Sequence, residues 1–475
     1  MSTQAIEFAP LSGPNRAADI AGQLRRMLGR GQLQGGDRLP STRDLARDLG
    51  VARGTVVSAL DTLIAEGLLE ARRGSGTFVT AGCKLVSRAT HGPREAPPRP
   101  NAVRPDTDPH LPGVLEFRVC RPSVDDFPQN AWRRAVADAA GRRPAPDYGD
   151  AQGEPELRVA IASYLCRARG LDVSADEVIV TNGAVHAMQI LAGLYLDAST
   201  TVAFEDPGYP LARQIFARPG ARVIPIPVDC GGLCVEKLDA TGAKLVYVTP
   251  SHQFPTGERL SLPRRQQLID WAAANDALIL EDDYDGEFRY DVTPLPPMAA
   301  MNAGGSVVYF GTFSKTLFPS LRIGFAVGPR SLIRDMARYR TITDYQTNSI
   351  TQLGLANFIE NGQFEKHVQR MRRRYARKRA ALRDAIERTG LPATIRGTDS
   401  GLNAMIQLDS ALTATVIADR ARLKGVGVTP IARYTVSGDV RDNALVLGYA
   451  ALSEGQIAEG VDILAREVAR CDAQA

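Results

Sequence analysis

The chain has 475 residues, which is too long for one compact domain, so two or three domains are expected. A hydrophobic content of 44% with 23% charged residues is typical of a soluble globular protein. No stretch approaches the roughly 18 uninterrupted apolar residues of a membrane span, and the N-terminus has no apolar signal run. We therefore expect a cytoplasmic protein with no membrane partner. The formal net charge of +4 is weak evidence for nucleic acid, so local charge must decide that point.

The six cysteines are scattered, as expected for reduced thiols in that compartment. Only Cys230 and Cys234 are close in sequence, and no histidines stand at ligand spacing beside them. No metal site is predicted.

Residues 1–81 have the pattern of a small helical domain that ends in a hairpin. Ile20, Leu24 and Met27 share one face of a first helix. Glycine and proline punctuation, with Ser41 or Thr42 as a cap, then delimits two more helices and two strands. In chain order these are expected at Arg43–Leu49, Gly54–Glu66, Leu68–Ala71 and Thr77–Thr80.

Residues 82–112 contain seven prolines and no hydrophobic periodicity, which predicts a semi-extended linker. About thirty residues can span on the order of 90–100 Å when stretched. The domain after this linker therefore need not lie beside the first domain of its own chain.

Residues 113–475 alternate helical patterns with short apolar strands, which predicts an α/β domain around a mostly parallel sheet. Long helices and late strands beyond about residue 330 indicate a smaller α+β lobe. The predicted strands are Glu177–Thr181, Thr201–Glu205, Lys244–Thr249, Leu278–Glu281, Val307–Phe310, Ala404–Leu408 and Ala444–Tyr449.

Lys315 follows the last of the predicted sheet strands before residue 330 and is flanked by Ser314 and other hydroxyl residues, with Arg322 seven positions on. A Schiff base to pyridoxal phosphate needs an amine at a rigid strand end, with hydroxyls and a guanidinium to hold the phosphate. The segment 310–324 therefore predicts a pyridoxal phosphate site.

The N-terminal motifs Pro40-Ser-Thr-Arg-Asp-Leu-Ala, Leu49-Gly-Val-Ala-Arg-Gly-Thr-Val and Arg73-Gly-Ser-Gly-Thr-Phe-Val resemble the GntR family of bacterial regulators, which have a winged helix-turn-helix. The resemblance implies that the third helix enters the major groove of operator DNA. By position it implies DNA contacts from Arg43, Arg53, Thr55, Arg73 and Gly74.

Elementary chemistry agrees with two of these assignments. An arginine at the start of a recognition helix, such as Arg53, can pair bidentately with guanine. Arg43 opens the second helix, whose N-terminal amides favour a phosphate. The alternative is that these arginines form a solvated face. Ten arginines against eight acidic residues in 1–82 do not decide between the two, whereas the order of the motifs favours DNA.

Residues 113–475 resemble fold-type I aminotransferases in four further segments. By position, the resemblance implies that Asp282 pairs with the pyridine nitrogen and that Tyr284 forms a hydrogen bond to the ring oxygen. Asp283 and Asp285 are interpreted as acidic residues that face solvent in the loop after the strand. His186 and His252 are interpreted as residues behind the pocket wall, because neither shows a partner in the sequence.

The resemblance extends to the phosphate and the ring. Gly183, Ala184 and Val185 match the phosphate turn, which Ser314 and Arg322 would close from the other side. Tyr209 matches a stacking aromatic, with a core tyrosine as the alternative. Tyr148 matches a tyrosine that reaches the phosphate of the other subunit, which implies a homodimer.

Two departures argue against ordinary amino-acid transamination. Phe254 stands where many aminotransferases have an asparagine, and Val446 stands where they have an arginine for the substrate carboxylate. Arg433 is then the best candidate for binding the acidic group of an effector.

The whole chain resembles the MocR subfamily of GntR regulators. This implies a head-to-tail, domain-swapped homodimer that senses pyridoxal phosphate itself or a small amino compound. Three hypotheses stay open: a regulator in which the effector displaces Lys315 from the cofactor, a working aminotransferase that also binds DNA, and a regulator with a dead pocket, which the completeness of the motifs disfavours.

The basic run from Lys366 to Arg379 allows two interpretations. It is either a second DNA surface or, as we favour, a helix with Val368, Met371, Tyr375 and Ala376 inside and its arginines outside.

Overall fold

The computed structural model of the protein describes residue 6 and residues 8–11, 14–82, 113–143, 145–290, 293, 295–302, 304–409, 413–438 and 440–472. The chain divides into two compact units, Met1–Arg104 and Pro105–Ala475. Residues 83–112 of the predicted linker lie outside the described residues. In the described part of the chain, no helix has the length and apolar character needed to cross a membrane.

The first unit is a three-helix domain with a hairpin. Its elements are α1 (Arg16–Gly29), α2 (Thr42–Asp48), α3 (Arg53–Ala65), β1 (Leu69–Arg72) and β2 (Gly76–Val79). Ser41 caps α2 by accepting from the amide of Asp44 at 3.2 Å. The core includes Ile20, Leu24, Val56 and Leu60, and these helix-spaced apolar residues hold α1 and α3 together.

The second unit is built on an eight-stranded sheet in the order β4-β11-β10-β9-β8-β5-β6-β7. The sheet is parallel except for β11 and the edge strand β7. Its strands are β4 (Val178–Thr181), β5 (Thr201–Asp206), β6 (Arg222–Asp229), β7 (Gly232–Leu233), β8 (Leu245–Val248), β9 (Leu278–Asp282), β10 (Val307–Thr312) and β11 (Gly324–Val327).

Helices cover both faces of this sheet, so its central strands are buried on both sides. On β4, Val178 and Val180 pack with α5 and α11, while Ile179 packs on the opposite face with α6, α7 and α10. The helices of the second unit are α4 (Gln129–Ala140), α5 (Pro155–Arg169), α6 (Ala184–Tyr195), α7 (Pro210–Ala217), α8 (Leu262–Ala274), α9 (Met298–Met301), α10 (Arg330–Arg340), α11 (Ser349–Glu360), α12 (Gln363–Thr389), α13 (Ala414–Leu423) and α14 (Glu454–Asp472).

A smaller C-terminal lobe has a four-stranded antiparallel sheet in the order β12-β13-β16-β15 and a short parallel pair, β14 with β3. The strands are β3 (Leu115–Glu116), β12 (Ala393–Arg396), β13 (Asn403–Leu408), β14 (Val426–Gly427), β15 (Thr429–Pro430) and β16 (Ala444–Gly448). The predicted combination of an α/β domain and an α+β lobe is confirmed. Strands β4, β5 and β9 end at one edge of the main sheet, where α/β proteins bind ligands.

Candidate functional site

Nine of the predicted site residues line one cavity of about 570 Å³. They come from the carboxyl ends of the main-sheet strands, from the loops that follow them and from the C-terminal lobe. The nine are Ala184, Val185, Tyr209, Asp282, Tyr284, Ser314, Lys315, Arg322 and Arg433.

The turn between β4 and α6 forms one end of the cavity. Gly183 precedes α6 with a φ of 82°, a conformation that glycine adopts without strain. The amides of Ala184 and Val185 lie in the first helical turn, where amides have no acceptor within the helix. Such a turn suits a phosphate or another anion.

Arg322 faces this turn from the other side, and Ser314 lines the same cavity. Arg322 donates from Nη2 to the carbonyl oxygen of Asn182 at 2.8 Å. A Cβ on Gly183 would lie 2.9 Å from the same nitrogen. The Ser314 hydroxyl is buried and has no hydrogen-bond partner among the described residues. Amides, a hydroxyl and a guanidinium are together the donor set of a phosphate site.

Asp282 stands at the last position of β9 and is only 5% exposed. Its Oδ2 accepts from the Tyr247 hydroxyl at 2.6 Å, while Oδ1 is buried without a partner among the described residues. Burial raises the pKa of Asp282 to about 7, against the hydrogen bond from Tyr247, and the charge of Asp283 adds to the increase while that of Lys315 opposes it. A cationic ring nitrogen would satisfy this carboxylate, so the residue fits pyridoxal phosphate.

Lys315 follows β10 and lies half-buried in the cavity wall. Strand β10 pairs in parallel with β9, with Phe310 opposite Asp282. Lys315 lies three residues beyond the end of β10, and Asp282 ends the adjacent strand, so the sheet holds the two segments that carry the amine and the buried carboxylate side by side.

Tyr284 is buried, and its hydroxyl lies 3.0 Å from Nδ1 of His252. The same nitrogen lies 3.0 Å from Oδ2 of Asp285. The interpretation of Asp285 as an acid that faces solvent is thus wrong, because this side chain is 1% exposed and paired.

Asp283 is also buried, which contradicts the same interpretation for this residue. It forms an ion pair with Arg169 at 3.0 Å and accepts from the Tyr309 hydroxyl at 2.8 Å. Burial is the largest influence on the pKa of Asp283 and raises it. The charges of Arg169 and of two further arginines, together with the hydrogen bond from Tyr309, outweigh burial and lower the pKa. The run of acidic residues alone could not predict this ion pair, because Arg169 lies more than a hundred residues away in the sequence.

His186 has partners as well. It accepts from the amide of Asn182 at 3.2 Å, and its Nε2 lies 3.7 Å from Asp344. The fold thus supplies both His186 and His252 with partners that the sequence did not show, and their placement behind the pocket wall stays a prediction.

Phe254 is the centre of an aromatic group in the cavity wall. It meets Tyr209, Tyr284 and Tyr434 edge-on, with ring centroids 5.7, 6.0 and 5.1 Å away. A phenyl ring cannot supply the hydrogen bond of an asparagine amide. At this position the pocket offers shape and apolar surface instead.

Arg433 reaches the cavity from a 3₁₀ turn, Ile431–Tyr434, of the C-terminal lobe. The amide of Gly208 donates to the Tyr434 carbonyl at 2.9 Å. Both carboxylate oxygens of Asp206 accept from amides of residues 436 and 437, each at 3.0 Å. These bonds attach the segment that carries Arg433 to the end of β5.

Tyr148 lies on the surface, 67% exposed, with its ring stacked on that of Tyr345 at 4.5 Å between centroids. Exposed Ile342 belongs to the same segment as Tyr345. An aromatic pair in such a position suits a contact with another protein surface.

In the N-terminal unit, four of the five predicted DNA residues are exposed. Arg53 is the first residue of α3 and donates to Thr42 Oγ1 at 3.2 Å. Arg43 lies in the first turn of α2, and Arg73 and Gly74 form the tip between β1 and β2. Thr55 is half-buried in the first turn of α3.

The basic run forms part of the 27-residue helix α12, whose buried face includes Val368, Met371 and Tyr375, while Ala376 is half-buried. Several of its arginines bind neighbouring segments: Arg372 donates to the Glu287 carbonyl and Arg374 pairs with Asp126. The predicted helix with its apolar residues on the inner face is confirmed.

Among the described residues, no cluster of three or more histidine, cysteine, aspartate or glutamate side chains could hold a metal ion.

Comparison with known proteins defines the class. Residues 119–464 match the family of class I and II aminotransferases, and residues 16–79 match the bacterial regulatory proteins of the gntR family. The crystal structure of the Pyrococcus horikoshii kynurenine aminotransferase, solved with PMP, superimposes with a TM-score of 0.70 at 28% identity, covering 75% of this chain and 91% of that one. The protein is a DNA-binding regulator with an aminotransferase-like domain.

Two relatives place it more closely. The probable rhizopine catabolism regulatory protein MocR of Rhizobium meliloti is 36% identical over 93% of this chain and 91% of its own length. The pyridoxine biosynthesis transcriptional regulator PdxR of Corynebacterium glutamicum is 36% identical over 94% of this chain and 93% of its own. The chain belongs to the MocR group of the GntR family.

Proposed function

We propose that this protein is a transcriptional regulator in which pyridoxal phosphate and an amino-compound effector share the aminotransferase-like cavity and control operator binding. The observation that carries the proposal is the convergence of Lys315, the buried carboxylate of Asp282 and the phosphate donors on one cavity. The same chain carries a GntR domain.

One group of residues in the cavity would bind the phosphate of the cofactor. Gly183, Ala184 and Val185 offer backbone amides to the phosphate, and Ser314 and Arg322 supply a hydroxyl and a guanidinium. When bound, pyridoxal phosphate supplies an aldehyde that amines capture reversibly.

Three further residues act on the ring and its aldehyde. Asp282 keeps the ring nitrogen protonated. Lys315 would supply the amine with which an effector amine competes, and Tyr209 would pack against the ring.

Effector recognition depends on the opposite wall of the cavity. Arg433 would bind an acidic group of the effector, while Phe254 and Tyr434 contact its apolar body. A compound with an amine at one end and an acid at the other fits this pair of sites.

DNA recognition depends on the first unit. Arg53 and Thr55 at the start of α3 would contact base edges. Arg43 would contact a phosphate, and Arg73 and Gly74 would enter the minor groove.

In a homodimer, Tyr148 of one copy would reach the phosphate bound by the other. The predicted domain limits, 1–81, 82–112 and 113–475, permit a head-to-tail exchange of DNA-binding domains.

Fluorescence anisotropy with DNA from upstream of the gene tests the proposal. We expect sequence-specific binding whose affinity changes when pyridoxal phosphate and one amino compound are added together. A thermal-shift screen of amino compounds on cofactor-loaded protein identifies that compound, because a selective ligand raises the melting temperature. Binding to operator and to random DNA with equal affinity would contradict the proposal.

A second candidate function, transamination, is favoured by Lys315, Asp282 and Tyr284 lining the same cavity. Sustained turnover with an amino donor and a keto acid would support the enzyme. A single half-reaction that stops after one equivalent would support the regulator.

A further inference from the structure

His252 connects the pocket wall to the C-terminal lobe. It lies in the loop between β8 and α8 and is 3% exposed. Its Nδ1 lies 3.0 Å from both Asp285 Oδ2 and the Tyr284 hydroxyl. Its Nε2 lies 3.3 Å from the carbonyl oxygen of Gly397.

The partners of the two ring nitrogens determine where the protons lie. A backbone carbonyl only accepts, so Nε2 must carry a hydrogen to bond Gly397. An ionised carboxylate also only accepts, so Nδ1 must carry a hydrogen to bond Asp285. A ring with hydrogens on both nitrogens is an imidazolium, and such a ring would form a buried ion pair with an ionised Asp285.

This arrangement leaves the Tyr284 hydroxyl only one role toward the ring. A protonated Nδ1 has no lone pair, so Tyr284 cannot donate to it and its hydrogen must point elsewhere. Because Tyr284 lines the cavity, its hydrogen is available to a group inside.

The surroundings keep the imidazole in place. A Cβ on Gly401 would lie 2.2 Å from Cε1 of His252, so the C-terminal lobe packs directly against the ring. Burial is the largest influence on the ring and opposes its charge, but Asp285, the Gly397 carbonyl and the more distant Asp399 together raise the pKa of His252. The nearby Tyr284 stays neutral, since burial raises its pKa far above the usual range.

We propose that His252 is a positioning residue: as an imidazolium paired with Asp285, it directs the Tyr284 hydroxyl into the cavity as a hydrogen-bond donor. The protonation state stands on the geometry of the cofactor-free chain. The identity of the acceptor, the phenolic oxygen of pyridoxal phosphate, rests on the proposed function.

The chain contains a matched control for the first part. His367 on α12 is also buried, 2% exposed, but burial and then the charge of Arg370 lower its pKa to about 4. The two buried histidines should therefore differ in charge at neutral pH.

Nitrogen NMR of cofactor-free, full-length protein labelled on its five histidines tests this difference. His252→Gln and His367→Gln assign the signals. At pH 7.5 we expect two closely spaced nitrogen resonances for His252, as in an imidazolium, and two widely separated resonances for His367. Widely separated resonances for His252 would overturn the proposal, whatever the protein does with its cofactor.

The second part is tested by titrating the visible absorption of cofactor-loaded protein with pH. A donor on an acidic oxygen stabilises its deprotonated form, so removing the donor raises the titration midpoint. We expect Tyr284→Phe and His252→Gln to raise it by a similar amount, about one pH unit, and the double variant to add nothing further. An unchanged midpoint in His252→Gln beside a raised one in Tyr284→Phe would overturn the positioning role.

The two arms separate the failures. Failure of all variants and of the wild type to take up pyridoxal phosphate would contradict the proposed function and leave the NMR result standing.

Discussion

The Arg322 guanidinium donates to the Asn182 carbonyl at 2.8 Å across 140 residues of sequence. This bond joins the loop after Lys315 to the turn that opens α6, so it holds the two halves of the predicted phosphate site together. Arg322 also has a left-handed backbone, with a φ of 54°, which non-glycine residues adopt at a cost of about 1–3 kcal/mol. Such strain is common where a side chain must point at a ligand.

Gly324→Ala tests how closely the two halves approach. The new Cβ would lie 2.8 Å from the amide nitrogen of Ala184, so the phosphate turn must shift. We expect at least a tenfold loss of affinity for pyridoxal phosphate by absorbance titration. Gly455→Ala in α14, where a Cβ meets nothing within 4 Å, is the control. Equal affinities in the two variants would contradict this geometry.

Asp282→Asn tests the buried carboxylate in cofactor-free protein. Because the pKa of Asp282 is raised to about 7 in the folded state, the folded protein holds this proton more tightly than the unfolded chain. Its contribution to stability is present in acid and is lost as pH rises from about 4 toward 7. Asparagine has no such proton.

The free energy of unfolding of wild type should therefore fall over this interval by about 1–3 kcal/mol more than that of Asp282→Asn. Urea unfolding at a series of pH values measures the difference, with exposed Asp239→Asn as the control. Parallel curves for wild type and Asp282→Asn would show that this carboxylate is not perturbed.

Phe254→Asn introduces the residue type of many aminotransferases, but we do not expect it to make the protein an active aminotransferase. The change removes a buried ring that meets three tyrosines and leaves an amide in its place. We expect a loss of about 3 kcal/mol or more in stability and no gain in turnover with amino and keto acids. Phe254→Leu keeps the apolar character and should cost less. Efficient turnover by the asparagine variant would favour the enzyme hypothesis.

Arg53→Ala tests base recognition by α3. Loss of a bidentate contact to guanine should weaken operator binding by about 1–3 kcal/mol and reduce the preference over random DNA. Exposed Arg30 at the end of α1 lies outside the predicted set, so Arg30→Ala should retain the preference. Equal losses on operator and random DNA in Arg53→Ala would assign this arginine to phosphate contact.

The sequence predicted the strands that carry the site because each is a short apolar run with a polar residue at its end. Strands β4, β9 and β10 therefore lie within two residues of their predicted bounds. Strand β6 was not predicted, since Pro225 and Pro227 obscure its pattern.

Pairs that meet only in the folded chain were out of reach. His252 and Asp285 stand 33 residues apart, and Arg169 and Asp283 more than a hundred. Nothing in a local pattern distinguishes such buried acids from solvent-facing ones. Tyr247, which donates to Asp282, reads in sequence as one more strand residue.

The central claim is that Lys315 holds pyridoxal phosphate, and borohydride reduction followed by peptide mass spectrometry measures it most directly. Borohydride fixes the cofactor covalently to the amine that carries it. The account predicts one phosphopyridoxyl adduct, on Lys315, which is lost together with the visible absorption band in Lys315→Ala while that variant still binds operator DNA. An adduct on another lysine, or no adduct in protein saturated with the cofactor, would contradict it.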